Sequence, residues 1–397
     1  MTSRVLFIFL LFSFNTYSNS KNSNQENLIH KKIIESEKSR VIPLAESFLN
    51  EKPITVTSHT SIRSAGDIHD YYSEGTYWWP NPDDIDGPYI RKDGVNNPDN
   101  FDHHRQAISR LSLIVSSLSS AYLLTGDEKY AKSATKHLKA WFVDSETLMN
   151  PNMLYAQAIK GVNTGRGIGI IDAIPFIEVT KSVEVLAKTS FLSKSDNTKI
   201  HAWFRNFMLW LNSHQYGIDE MNAKNNHGTW WHAQVAAYAC FVGDKSMLEK
   251  CKNHYINNLL PTQMANNGSL PLELERTKPY SYSLFCLDGF ATLTYLLTDK
   301  NFDAWNYKLL DGRGMRLAVN FMKPFVVDKN KWTFPPDILF WDEQPGRRPF
   351  MIFAALIQNE IDWITIWQKS NPSFPSDESL RNMPVKNPVL WIHNFKL

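Results

Sequence analysis

HHRQAISRLSLIVSSLSSAYLLTGDEKYAKSATKHLKAWF, residues 103–142, decides the fold. Ile108, Leu111, Val115, Leu118 and Tyr122 recur at steps of three and four, the spacing that lines one face of a helix. The run breaks at Thr125, Gly126 and Asp127, and a second, Tyr130, Ala134, Leu138 and Trp141, starts at once. The stretch therefore predicts two antiparallel helices joined by a tight turn. The arrangement recurs where Trp230 to Phe241 leads through VGDKS into Met247 to Leu260, and where Phe290 to Leu297 leads into TDKNFDAW. Ile200, Trp203, Phe207 and Trp210 mark another helix, opened by SKSDN. Strand signals are confined to short pieces such as KWTFPPDILFW at 331–341, a terminal hairpin or an extended loop. Repeated helix pairs point to an all-α body, a toroid or solenoid of helical hairpins.

Composition narrows what such a body can do. The chain has 397 residues, 43% hydrophobic and 21% charged, enough to build a core without staples. A net charge of +2 gives no general attraction for nucleic acid, so any hold on a polyanion must be local, inside a cleft. Arg4, the apolar run Val5 to Phe14 and the polar tract SNSKNSNQEN have the build of a signal peptide. The run is too short to span a bilayer, so no membrane insertion is expected. The expected organisation is a signal peptide over 1–20, a polar segment with the first helix over 21–45, and one domain over 46–397, in a periplasmic or secreted protein. No cysteine precedes Cys240, which excludes a lipid anchor on a processed cysteine. Cys240, Cys251 and Cys286 read as buried small hydrophobes, with Cys240 to Cys251 the one bridge to consider.

Two long stretches lack periodicity and are rich in turn formers, 63–100 and 150–169. Loops of this length in a compact domain are usually functional. The first interleaves Tyr77, Trp78, Trp79 and Tyr89 with Arg91 and Lys92, flat faces for sugar rings beside cations for carboxylates, although the same aromatics could lock the loop to the body. GRGIG at 165–169 follows no strand, so a dinucleotide site is not supported.

Two polar clusters carry the chemistry. NNHGTWWHAQ, 225–234, sets His227 between an amide and a glycine, a poor choice for packing. His227 and His232 are five apart and fall on different helix faces, unlike a pair of metal ligands. PLELERTKPYSYSLF, 271–285, crowds Arg276, Tyr280 and Tyr282 together, and a phenol beside a fixed cation has its ionised form favoured. Asn226, His227, Arg276 and Tyr282 are the groups that elimination from a uronic acid needs. An amide and a cation brace the carboxylate while the C5 proton leaves, a histidine or tyrosine takes that proton, and a tyrosine protonates the departing O4. No metal or other cofactor is required.

These stretches, with YWWPNPDDIDGPYIRKDG and MNPNMLYAQAIKGVNTGRGIG, resemble those of the alginate lyase superfamily, in particular polysaccharide lyase family 38 and more distantly family 5. The likeness runs over about residues 55–360. It implies an (α/α) toroid or incomplete barrel with long loops over a central cleft, acting on alginate or glucuronan by β-elimination. It also implies Asn226 as the carboxylate-neutralising amide, His227 as the catalytic histidine, Arg276 as the stabilising arginine and Tyr282 as the acid/base, with Tyr280 a rival phenol. The substrate-binding set expected with them is Trp78, Trp79, Arg91, Gln157, Asn163, Arg166, Glu220, Asn225 and Tyr280. Two other readings stay open: a catalytically inactive uronan-binding protein, and a glycoside hydrolase drafting its carboxylates from Asp83, Asp84, Asp86 and Glu220.

Overall fold

A computed structural model describes residues 3–373 and 376–392. The chain opens with α1 (Ser3–Phe48), passes through the short strands β1 (Tyr72–Glu74), β2 (Trp78–Trp79) and β3 (Ile90–Arg91), and enters the hairpin α2 (His103–Thr125) and α3 (Glu128–Phe142). β4 (Tyr155–Ala158) precedes α4 (Phe176–Leu186), α5 (Lys194–Ser213), α6 (Gln215–Met221), α7 (Asn226–Val242) and α8 (Lys245–His254). Then follow the short helices α9 (Leu260–Gln263) and α10 (Pro271–Leu274), and the long α11 (Pro279–Leu297). The chain closes through α12 (Met315–Val327), α13 (Pro349–Gln358), α14 (Ile361–Lys369), α15 (Asp377–Arg381) and α16 (Val389–Ile392).

The hairpin turns form for a local reason. Gly126 and Gly243 end α2 and α7 in the left-handed region, at φ 72° and 77°, where a side chain is penalised. The aspartate that follows each glycine caps the next helix: Asp127 accepts from the Lys129 amide and Asp244 from that of Met247. The buried face of α2, with Ile108, Leu111, Val115 and Leu118, is the one the spacing predicts.

Helices α2, α4, α7, α11 and α13 pack each on the next, and α3, α5, α8, α12 and α14 lie against members of that series. α1 touches α2 at one end of the series and α13 and α14 at the other. The result is an α/α toroid. α1 buries Ile29, Ile33, Val41 and Ala45 in the common core and continues to Phe48, so the expected division at residue 45 corresponds to no break. The signal-peptide expectation for 1–20 concerns side chains outside the described residues. The three cysteines are free, Cys251 and Cys286 buried and Cys240 partly so. The 331–341 stretch is an extended loop between two short 3-10 turns, with no hairpin.

The two long loops lie together. β1 pairs in parallel with β4, and β2 with β3 antiparallel, which ties residues 72–91 to 155–158 above the helices.

Candidate active site

A cavity of about 320 Å³ opens between these loops and the N-terminal ends of α7 and α11. That size falls within the usual range of small-molecule sites. Asn226, His227, Arg276 and Tyr282 all line it.

Asn225 and Asn226 open α7, and Asn226 is held from below by Glu273 of α10. The Glu273 carboxylate accepts from the Asn226 backbone N–H at 2.6 Å and from its Nδ2 at 2.8 Å. Burial raises the Glu273 pKa, against the lowering effect of those hydrogen bonds. His227 Nδ1 lies 2.6 Å from Glu220 Oε1, to which it donates, and in the neutral ring this makes Nε2 the acceptor nitrogen. Gly228 is explained by packing: a Cβ there would lie 2.1 Å from the Ala223 carbonyl oxygen, so only glycine lets α7 start this close to the turn after α6. His232 is fully buried, with Nδ1 on the Gly228 carbonyl, and takes no part in the cavity.

The phenol side is built from α11 and the first loop. Tyr282 Oη sits 2.8 Å from Tyr77 Oη and accepts from Arg276 Nη2 at 2.9 Å, while the guanidinium carbon lies 4.0 Å from the Tyr282 ring centre. Arg276 also donates to Asp93, at 2.9 and 3.3 Å, and Thr277 donates to the same carboxylate. Burial would raise Asp93, but Arg276, Arg91 and Thr277 outweigh it and hold its carboxyl at about 2. Tyr282 corrects the expectation of a phenol biased toward ionisation. Burial, then Tyr77, push it well above the ordinary tyrosine value, and Arg276 opposes them without prevailing. The resting phenol keeps its proton.

A second group of polar residues enters through β3 and β4. Trp78, Arg91, Gln157, Arg166 and Asn225 line the cavity as expected from sequence. Gln157 sits at φ 49°, an unfavourable backbone for its type. Its amide donates to Asp172 at 3.0 Å, and its oxygens accept from Arg166. Arg166 lies 5.6 Å from the Trp78 ring centre, and burial brings its guanidinium down to about 10.

Four of the expected residues sit elsewhere. Trp79 donates its indole N–H to the Val95 carbonyl and fastens the loop. Asn163 closes a turn on Ile159. Glu220 is buried behind His227 and hydrogen-bonded to it. Tyr280 is buried between Trp332 and Trp341, with its hydroxyl on the Phe325 carbonyl, so it is no rival to Tyr282. Asp83, Asp84 and Asp86 are exposed outside the cavity and Glu220 is taken by His227, so among the described residues Asp172 alone of the carboxylates lines it, where hydrolysis of a glycosidic bond would use two.

The alginate lyase family model matches residues 55–332. The chain belongs to the alginate lyase family. Among solved structures, an alginate lyase from Bacteroides ovatus is 27% identical, with a TM-score of 0.79 over 95% of this chain and 98% of that one. Alginate lyase A1-III from Sphingomonas species A1 is 13% identical, with a TM-score of 0.51 over 92% of this chain and 95% of that one. A variant of A1-III complexed with a tetrasaccharide gives 12% and 0.53, over 88% and 89%. No curated protein sequence matches.

The protein is thus a polysaccharide lyase, and in and behind its cavity stand groups that sequence reading missed. Tyr77 and Asp93 come from the first loop, and Glu273 from beneath Asn226. Arg381 ends the C-terminal α15 and Asn382 follows it, both beyond the family-matched span. Tyr77 stood in an aromatic cluster that did draw notice, but nothing in the chain's local pattern pairs it with Tyr282, 205 positions on.

Proposed function

We propose that this lyase cleaves 4-O-linked uronate polymers, alginate or glucuronan, by β-elimination, and that it works outside the cytoplasm. The observation that carries the reading is the convergence of Asn226, His227, Arg276 and Tyr282 on one cavity also lined by Arg91, Arg166 and Arg381. Four arginines beside one lining carboxylate, Asp172, suit an anionic chain, and an amide at a helix N-terminus suits a carboxylate that gathers charge as its C5 proton leaves. His227, with Nε2 free to accept, is the base where proton and leaving oxygen lie on opposite faces of the ring, as in guluronate. Tyr282 protonates O4 there. In mannuronate and glucuronate the two lie on one face, and a single phenol can remove the proton and then return it to O4, provided that it first becomes phenolate. The tetrasaccharide complex of A1-III supports an oligosaccharide occupant, and Arg4 with the apolar run behind it supports export.

The test is incubation with poly-mannuronate, poly-guluronate and glucuronan. Elimination leaves an unsaturated, ultraviolet-absorbing sugar end, hydrolysis a saturated one, and a binding protein no product. Saturated ends alone, or no cleavage of any uronan, would overturn the proposal.

A further inference from the structure

Arg381 lines this cavity but takes no part in the proton transfers described above. It is the last residue of α15, 49 positions past the end of the family-matched span, which closes at residue 332. Its guanidinium is fixed on two sides, donating to Glu378 at 2.5 Å and to Thr76 Oγ1 at 3.3 Å. Thr76 also accepts from Arg105, at 2.8 Å. Thr76 and Arg381 line both the active cavity and a second cavity of about 590 Å³, so they form a wall between the two.

The charges at this wall do not cancel. Glu378 is shared between Arg381 and the buried Lys278, which lies 2.5 Å from it. Two cations thus face one carboxylate. Arg276 and Arg91 share Asp93 in the same ratio. Among the described residues Arg381 spends its hydrogen bonds on Thr76 and Glu378 alone, which leaves further guanidinium N–H groups for the cavity it lines. A guanidinium held in place before binding loses little freedom on capturing a carboxylate.

We propose that Arg381 is a carboxylate anchor for a uronate flanking the scissile linkage, a specificity residue contributed by the C-terminal segment. It acts on binding, while Tyr282 and His227 act on the reacting atoms. This rests on the uronan lyase reading, and its test is chosen to separate the two.

Arg381→Ala and Arg381→Lys are compared with wild type on uronate oligosaccharides of increasing length. Arg381→Ala should raise KM about tenfold or more on chains long enough to reach the wall, as expected for losing a charged hydrogen-bonded contact. It should leave kcat within a few-fold, leave the shortest cleaved substrate unaffected, and flatten the dependence of KM on salt. Arg381→Lys should recover part of the affinity, and it keeps the charge beside Glu378 should the alanine variant fold poorly. A fall in kcat that is equal at every chain length, or no change in KM at any length, would overturn the anchor while wild-type cleavage leaves the lyase reading standing. If the wild type cleaves no uronan, calorimetric titration with saturated mannuronate and glucuronate oligosaccharides still decides the anchor. Equal affinity in wild type and Arg381→Ala would overturn it.

Discussion

Tyr282 shows how much one side chain's surroundings matter. Tyr282→Phe keeps the ring against Arg276 and removes only the hydroxyl, so it should lower cleavage of every accepted linkage by a factor on the order of 10² or more. Tyr280→Phe should leave the rate near wild type, because that hydroxyl faces the Phe325 carbonyl. The reverse outcome, read as initial rates of unsaturated product, would show that the phenols have exchanged roles. Because burial and Tyr77 raise the Tyr282 pKa, its base form grows only as pH rises into the alkaline range. Same-face cleavage should therefore climb with pH, whereas guluronate cleavage, which needs the phenol protonated, should not climb with it. Parallel pH profiles on poly-mannuronate and poly-guluronate would contradict that division. His227→Gln should likewise harm guluronate cleavage more than mannuronate cleavage. Asn226, His227, Arg276 and Tyr282 were legible in the sequence because each sits in a short, compositionally odd run. The contacts of Glu220, Glu273, Asp93 and Arg381 were not legible, because their partners are brought to them by the fold: Asp93 meets Arg276 across 183 positions.

At the scale of elements, the helical hairpins could be read because their turns are local chemistry. Gly126 has no atom within 4 Å of an added Cβ, so Gly126→Ala should cost only its left-handed backbone, about 1 kcal/mol, with activity unchanged. Gly228→Ala meets the Ala223 carbonyl instead and should displace His227, lowering turnover more than it lowers stability. Denaturant midpoints and rates on the two variants separate these outcomes. α15 was illegible for the opposite reason. Five residues carry no periodicity, and what holds α15 in place is the buried pairing of Glu378 with Lys278 and Arg381. Burial raises the Glu378 carboxyl, but the two cations outweigh it and bring it from an ordinary 4.5 to about 2. The folded state therefore binds fewer protons than the unfolded one between those values. Its stabilising contribution is complete above about 4.5 and fades as pH falls toward 2. Wild-type stability should fall more steeply across that window than stability of Glu378→Gln, measured by thermal unfolding at stepped pH. Equal slopes would mean that the pair does not hold α15.

A toroid of helical hairpins must close on itself, and in the whole molecule the closure involves both ends of the described chain. Arg40 of α1 donates to the Lys386 carbonyl and to Asn387 Oδ1, at 2.8 and 2.9 Å, and Gln368 donates to Ser36. Beneath that seam lies Glu178 of α4, fully buried. Its carboxylate accepts the backbone N–H groups of Lys386 and Asn387 at 2.8 to 3.0 Å and the Trp391 indole N–H at 3.4 Å. A carboxylate buried this deeply is costly unless its oxygens are satisfied, and here the chain from 386 to 391 is folded around it. Periodicity could not reveal this, since Glu178 sits in the first turn of α4 among apolar residues and its partners are 208 to 213 positions away. Glu178→Ala would strand those donors in a dry seam, at about 1–3 kcal/mol for each unpaired group. The variant should lose about 3 kcal/mol or more by denaturant unfolding. Glu178→Gln keeps one acceptor oxygen but turns an N–H₂ toward donors, so it should fall between the two. Because the same seam brings α15 and Arg381 to the cavity, Glu178→Ala should also become sensitive to proteolysis after about residue 370 and show a raised KM at temperatures where the body is still folded. Wild-type stability and proteolytic resistance in Glu178→Ala would mean that the ring is closed by α1 against α13 and α14 alone, with the C-terminal segment merely resting on it.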